Sequence, residues 1–397
     1  MFFKLYGYCK FVTKKLNSCI YNMLSGDMIK INQEYAQILQ RAEEGEKVSE
    51  EDKLILDEIR KMGLGDYYEN NVYVEEFRLG PTKKMDSLID SNNKLEKAYI
   101  QLNGECNLNC EFCNTDIHPL RKTGCKKWEI EKSKFMSNEM WENIFLQLRY
   151  LGCNYLIFIG GEPLLNFNYL KDIVSISEKI SKFNLILYTN CSILNNEILK
   201  FIKKKGIIIH TQITDLENKS IIENIQILKN NGIKVICSIL VNRRNENQIN
   251  DIYVFLRDLK VTIQFDYIYP NPNNEFYSKK YIEEVYSKEK YFPKVTKDTL
   301  YIMKRYNNCL YNQIVIDSTG DVFSCPMLRS IKLGNIKEKP LNNIIDTKTY
   351  KELIAINKES CEGCSECSYS LNCFDCRAIE YAATGNIKGV TYCNKLR

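Results

Sequence analysis

The residue that sets this chain apart is cysteine: there are 17 among 397 residues, against 2 histidines. Three of them form Cys106-Asn-Leu-Asn-Cys110-Glu-Phe-Cys113, a C-x3-C-x2-C run. Thiolates spaced this way can each ligate a different iron of a [4Fe–4S] cluster, leaving the fourth iron open to another ligand. A second group lies near the C-terminus. Cys309, Gly320 and Cys325 follow C-x10-G-x4-C. Cys361, Cys364, Cys367, Cys373, Cys376 and Cys393 come after them, with Cys361 extending the cluster to C-x2-C-x2-C. Cysteine-only donors suit iron–sulfur ligation, and a zinc-ribbon tail is the alternative. A third motif is Gly160-Gly161-Glu162-Pro163. Its paired glycines would let the backbone approach a ligand, and Glu162 offers a carboxylate to an ammonium group.

The elements that must position these residues follow from hydrophobic periodicity. From 96 to 270 strand and helix alternate. The expected strands are Ala98–Leu102, Tyr155–Ile159, Leu185–Thr189, Ile207–Ile213, Lys234–Val241 and Val261–Tyr267. Helices are expected over Asn138–Leu151, Phe167–Ile180, Asn195–Lys205, Ser220–Asn230 and Gln248–Leu259. This alternation predicts an α/β fold, a partial (β/α)6 TIM-like barrel of parallel strands with right-handed crossovers. The cysteine loop and the Gly-Gly-Glu-Pro segment then follow the first and second strands, at the barrel end where chemistry collects.

Residues 1–95 read as a small winged-helix-like module. A hairpin over Tyr21–Ile31 turns at Ser25-Gly26-Asp27, and a helix spans about Glu34–Glu44. A second helix is capped by Ser49, with Ile55, Ile59 and Met62 on one face and Gly63 as its stop. A last strand is expected at Val72–Phe77. Residues 271–308 read as a linker with helices. Residues 309–397 are turn-rich, and such a segment builds little core without metal.

The cysteine loop and the Gly-Gly-Glu-Pro motif resemble the radical S-adenosylmethionine (SAM) superfamily over roughly residues 96–270. That resemblance implies that Cys106, Cys110 and Cys113 hold the cluster and that Phe112 neighbours the adenine. It also implies that Gly160, Gly161 and Glu162 meet the methionyl amine, with Gln212, Ser238 and Asn242 facing the ribose and carboxylate. The tail is similar to the SPASM extension, whose two auxiliary [4Fe–4S] clusters occur in peptide maturases. It departs from the usual spacing, with two residues rather than three between Cys373 and Cys376. Carried over, Cys309, Cys325 and Cys376 would hold a barrel-proximal cluster. Cys364, Cys367, Cys373 and Cys393 would hold a distal one, with Cys361 as a fourth proximal ligand or displaced by substrate. The N-terminal module resembles a RiPP recognition element, which captures the leader of a ribosomally made peptide by strand addition.

The resemblance implies a maturase of a precursor peptide with a leader, supplied with electrons by a donor such as flavodoxin or ferredoxin. The expected product is a thioether crosslink from a peptide cysteine, as in sactipeptide and ranthipeptide enzymes. Carbon–carbon crosslinking and sulfatase-type formylglycine formation are alternatives, the latter disfavoured because Pro326 follows Cys325 where that family has an aspartate. A non-catalytic iron–sulfur or zinc interaction protein is the reading from another class. Cys191 and Cys125 are further catalytic candidates, with Cys191 expected at the barrel mouth. Cys9, Cys19, Cys153 and Cys237 read as small apolar residues, His118 and His210 as hydrogen-bonded structural residues, and Trp128 and Trp141 as packing.

A formal net charge of +5 with scattered lysines gives no basic stripe of the kind that nucleic-acid binding uses. No apolar run has the roughly 18 to 20 residues that span a bilayer. Charge and polarity interrupt Met1–Lys15 before a secretory segment can form, so a cytoplasmic location is expected.

Overall fold

A computed structural model describes residues 1–77, 95–111, 113, 127, 136–268, 294, 296–307, 309–373, 376–390 and 393. The N-terminal module runs β1 (Phe2–Leu5), β2 (Cys9–Thr13), β3 (Ser18–Asn22), β4 (Met28–Ile31), α1 (Gln33–Glu44), α2 (Glu50–Lys61) and β5 (Gly65–Tyr68). Strands β2, β3 and β4 form an antiparallel sheet, and β1 pairs antiparallel with β5. Asn32 caps α1 by accepting from the Tyr35 N–H, and Ser49 Oγ caps α2 by accepting from the Asp52 N–H. Leu39, Leu56 and Ile59 close a core on Phe3, Leu5 and Ile20.

Two local expectations are corrected here. Met62 is 56% exposed, and Leu56 takes the buried position beside Ile59. The α2 helix ends at Lys61, so Met62 has already left its apolar stripe. Val72–Phe77 is not a strand: β5 holds the β1 edge, and a backbone bond from the Phe77 N–H to the Gly7 carbonyl ties this segment down.

The alternating region forms β6 (Lys97–Gln101), α3 (Asn138–Tyr150), β7 (Tyr155–Ile159), α4 (Phe167–Ile180), β8 (Asn184–Tyr188) and α5 (Asn196–Lys205). It continues with β9 (Ile208–Ile213), α6 (Lys219–Asn230), β10 (Val235–Val241), α7 (Ile249–Asp258) and β11 (Thr262–Tyr267). Neighbouring strands from β6 to β11 pair in parallel, as expected of a partial barrel. Side chains alternate across this sheet. Ile100, Phe158, Leu187, Ile209 and Ile239 pack under the helices with Trp141, Phe145, Ile173 and Ile252. Tyr99, Ile157, Ile186 and Tyr188 line the inner face with Val315 and Phe323.

Those last two residues belong to the C-terminal region, which contains α8 (Lys297–Arg305), β12 (Gln313–Asp317), β13 (Asp321–Phe323), β14 (Lys332–Asn335), α9 (Leu341–Ile345), α10 (Lys348–Ile354) and α11 (Arg377–Thr384). Among the described residues the sheet runs β11-β10-β9-β8-β7-β6-β12-β13-β14, with β12 parallel to β6. The tail, expected to build little core of its own, takes its core from the barrel. Ile314, Val315, Ile316 and Val322 are buried because this region extends the barrel sheet and shares its core. No helix among the described residues is long and apolar enough to cross a membrane.

Candidate iron–sulfur and cofactor site

The loop after β6 carries Cys106, Cys110 and Cys113, all partly exposed. A turn from the Cys113 N–H to the Cys110 carbonyl, 2.9 Å, brings the last two cysteines round. The sulfurs of Cys106 and Cys113 receive donors. The Leu108 N–H points at Cys106 Sγ (3.4 Å), and the Lys127 N–H at Cys113 Sγ (3.3 Å). The Asn190 amide also points at Cys106 Sγ, at 3.6 Å. Burial raises the Cys106 thiol above its ordinary range, while the Leu108 and Asn190 donors oppose the rise. N–H donors around a sulfur are what a charged thiolate ligand needs.

Gly160 and Gly161 have a reason in this geometry that differs from the expected one. A Cβ on Gly161 would stand 2.1 Å from the Glu105 carbonyl oxygen, and one on Gly160 2.7 Å from that of Asn103. The close approach is to the chain's own cysteine loop. The Glu162 N–H completes it by donating to the Glu105 carbonyl at 2.7 Å.

Glu162 is fully buried. Its carboxylate accepts from the Leu164 N–H (2.9 Å), the Thr189 hydroxyl (2.9 Å) and the Asn190 N–H (2.7 Å). Burial pushes its pKa up to about 7 against the pull of those donors. The side chain thus locks the end of β7 to the end of β8. From there the Asn190 amide reaches both Cys106 Sγ and Asn107 Oδ1. Across the barrel mouth, Arg244 pairs with Glu111 of the cysteine loop.

The later strand ends carry polar side chains on the inner face. Gln212 on β9 donates to Asp266 on β11 (3.2 Å), and His210 shares a 2.7 Å hydrogen bond with Ser238 on β10. Burial lowers the His210 pKa to about 4, so the ring is neutral. Asn242 shapes the turn after β10, where its amide donates to the Leu240 carbonyl and its oxygen accepts from the Arg244 N–H.

Cys191 does not face the barrel mouth. It is 2% exposed, packed in the helix-side core near Thr211 and Cys237, and burial pushes its thiol far up. Its φ of +58° places it in the left-handed region, the conformation in which glycine is at ease. Phe112, Cys125, His118 and Trp128 lie outside the described residues. Cys9, Cys19, Cys153 and Cys237 are buried as expected, and Trp141 packs in the core with its indole N–H on the Tyr169 hydroxyl.

In the C-terminal region Cys309 and Cys376 lie near enough to Cys325 to raise its buried thiol further. Cys361, Cys364 and Cys367 follow one another on successive tight turns, and Arg377 donates to Cys361 Sγ at 3.5 Å. Cys367 and Cys373 both lie close to the buried Tyr21 hydroxyl.

Among the described residues several buried polar atoms here have no partner: Ser324 Oγ beside Cys325, Ser370 Oγ, and both amide atoms of Asn372 beside Cys373. Buried polar atoms of this kind call for a polar partner, and cluster sulfides would supply one. Among the described residues no three His, Cys, Asp or Glu side chains converge tightly enough to hold a single ion.

Residues that the sequence reading did not single out complete the arrangement. Arg329 is largely buried, between β6 and Cys325. It donates to Gln101 and to the Pro326 carbonyl, faces Asp317 at 3.9 Å and lies over the Phe323 ring. Its only sequence signal is a cation four residues past a cysteine. Asn190 had none beyond its place after β8.

Comparison with known proteins agrees with this architecture. A model of the radical SAM superfamily matches residues 100–256, and SPASM, an iron–sulfur cluster-binding domain, matches 308–368. An uncharacterised protein of Methanocaldococcus jannaschii is 26% identical over 273 residues, 62% of this chain and 90% of that protein. A GTP 3',8-cyclase of Synechocystis is 23% identical over 194 residues, and the match spans 56% of its length. Among solved structures, anSMEcpe with bound AdoMet superposes with a TM-score of 0.58 at 16% identity, covering 75% of this chain and 93% of that one. Streptococcus suis SuiB bound to S-adenosylmethionine gives 0.58 at 15% identity, covering 98% of this chain and 100% of SuiB. SuiB bound to precursor peptide SuiA gives 0.56 at 16%. At such identities the likeness is one of fold. The chain thus carries a radical SAM domain over residues 100–256 and a SPASM domain over 308–368, the two domains of an enzyme that uses SAM, a [4Fe–4S] cluster and auxiliary clusters.

Proposed function

We propose that this enzyme matures a ribosomally synthesised precursor peptide and forms a thioether from a peptide cysteine. One observation carries the reading: the fold likeness to SuiB, a protein solved with a precursor peptide, covers 99% of this chain and so includes the N-terminal module. In that module β2 and β4 are the edges of a three-stranded sheet, and an edge strand is the element that pairs with an extended leader.

Cys106, Cys110 and Cys113 hold the SAM cluster in this account, with Phe112 beside the adenine. Glu162, through Thr189 and Asn190, fixes the strand ends against which SAM rests, and Gly160 and Gly161 let that wall close on the cysteine loop. Gln212 and Ser238 present polar groups on the inner face, and Asn242 shapes the backbone beside them. When bound, cluster and SAM supply a 5′-deoxyadenosyl radical, and the auxiliary clusters supply an electron acceptor.

Cys309, Cys325 and Cys376 hold the proximal cluster, leaving a fourth position for Cys361 or for the substrate thiolate. Cys364, Cys367, Cys373 and Cys393 hold the distal one. Loss of a peptide hydrogen atom, a thiol proton and one electron then balances carbon–sulfur bond formation. A flavodoxin or ferredoxin would deliver the initiating electron. The residue after Cys325 is a buried proline, so the sulfatase-type base is missing from its expected place.

The test is mass spectrometry of a Cys-rich peptide encoded beside this gene, after anaerobic incubation with reconstituted enzyme and SAM. Loss of two hydrogens per crosslink, with the cysteine thiol blocked to alkylation, is expected. A crosslink that leaves every thiol free would favour carbon–carbon bond formation, and an unchanged peptide would remove the maturase reading.

A further inference from the structure

The N-terminal module and the cysteine-rich tail meet at a specific place, the β2–β3 turn. The Leu16 N–H donates to the Glu366 carbonyl at 3.1 Å, and Tyr21 donates its hydroxyl to the Ser368 carbonyl at 2.7 Å. Cys19, Tyr21 and Met23 form one buried cluster with Leu300, Met303, Cys367, Tyr369 and Leu371. In the middle stands Asn17. Its Oδ1 accepts from the Ser368 N–H (2.7 Å) and the Ser368 hydroxyl (2.5 Å), and its Nδ2 donates to Cys367 Sγ at 3.4 Å. A main-chain N–H can only donate, so the Ser368 contact fixes which end of the amide is oxygen. The nitrogen must therefore face the sulfur.

We propose that Asn17 is a positioning residue for the distal auxiliary cluster, through which the N-terminal module raises that cluster's reduction potential. The inference rests on the reading of Cys367 as a ligand. An N–H···S bond withdraws charge from a thiolate and so favours the reduced, more negative cluster. A second observation points the same way. Asn372, one residue before Cys373, is 1% exposed, and among the described residues both its amide atoms are unpartnered, so a second buried amide lies beside these cysteines. The donor comes from the module that receives the peptide leader in the proposed function, which links the state of that module to the electron acceptor.

The experiment is an EPR-monitored redox titration of the full-length, anaerobically reconstituted protein beside Asn17→Asp and Asn17→Ala. Asn17→Asp keeps an oxygen for Ser368 and replaces the donor to sulfur with a carboxylate. Asn17→Ala removes the donor without adding charge. Both variants should lower the midpoint of one auxiliary cluster and leave the SAM cluster unmoved. The expected effect in Asn17→Asp is about a tenfold change in the reduced-to-oxidised ratio at fixed poise, or about 59 mV for one electron. Midpoints unchanged in both variants would overturn the inference. Iron analysis of Cys367→Ala keeps the underlying reading separate. Undiminished iron there would remove Cys367 as a ligand, whereas lost iron with unmoved Asn17 midpoints would overturn the role of Asn17 alone.

Discussion

The main-chain N–H of Asn190 donates to Glu162 Oε2 at 2.7 Å, and the side chain of the same asparagine reaches Cys106 Sγ at 3.6 Å. One residue therefore joins the Gly-Gly-Glu-Pro segment to Cys106, the first cysteine of the C-x3-C-x2-C loop. Glu162 acts in this arrangement as a buried acceptor that sets strand ends, and its worth lies in the donors it satisfies. Glu162→Gln would turn an amide NH2 toward donors that need an acceptor. An unsatisfied buried group costs about 1 to 3 kcal/mol. Thermal unfolding should show that loss, and SAM cleavage should fall by roughly tenfold or more, about 1.4 kcal/mol per tenfold. Wild-type cleavage and stability in the variant would contradict the role.

Gly161→Ala should be more disruptive than its size suggests, because the new methyl would meet the Glu105 carbonyl at 2.1 Å. Backbone cannot swing aside as a flexible side chain can, and overpacking of this sort costs roughly 1 to 3 kcal/mol. The expected readout is a displaced cysteine loop, seen as lost iron at the SAM cluster with the auxiliary clusters retained. Full iron loading would show that the loop has room.

His210 gives a pH dependence with a definite sign. Burial holds its folded pKa near 4, below the ordinary 6.5, so the unfolded chain binds the proton more readily between those values. Stability is fully present above pH 6.5 and is lost as pH falls toward 4, by about 3 kcal/mol at 1.36 kcal/mol per pKa unit. His210→Gln should abolish that component in pH-dependent unfolding of the metal-free chain. An identical pH profile in the variant would count against it.

Arg329 tests how the barrel and the C-terminal region are joined. Arg329→Met leaves the buried Gln101 side-chain oxygen and the Pro326 carbonyl without this donor, and an unsatisfied buried group costs about 1 to 3 kcal/mol. Arg329→Lys keeps charge but loses the planar group over Phe323, so it should fall between Met and wild type in unfolding midpoint. Equal midpoints for all three would show that the contact is idle.

Strand and helix positions between residues 96 and 268 were legible in the sequence because burial on two faces leaves strong periodicities, and the boundaries of β7 and α4 coincide with those expected. The three-cysteine loop was legible because spacing along a single loop is local. What was hidden is long-range. Nothing near Gln313–Asp317 says that it pairs with Lys97–Gln101, more than two hundred residues away. Cys191 was misplaced because a position after a strand faces inward or outward according to local φ, and a positive φ turned it to the core. Val72–Phe77 has strand-forming residues, but the β1 edge was already taken by Gly65–Tyr68. Asn17 looks like any turn residue until its partner Cys367 is known.

The most direct test of the proposed function follows the hydrogen atom. A precursor peptide carrying deuterated residues would be incubated with reconstituted enzyme, SAM and reductant, and the 5′-deoxyadenosine released would be analysed by mass. Deuterium in the nucleoside, together with loss from the peptide of one carbon-bound deuterium and one thiol proton per crosslink, is the predicted result. Release of unlabelled 5′-deoxyadenosine beside an intact, fully deuterated peptide would contradict the account.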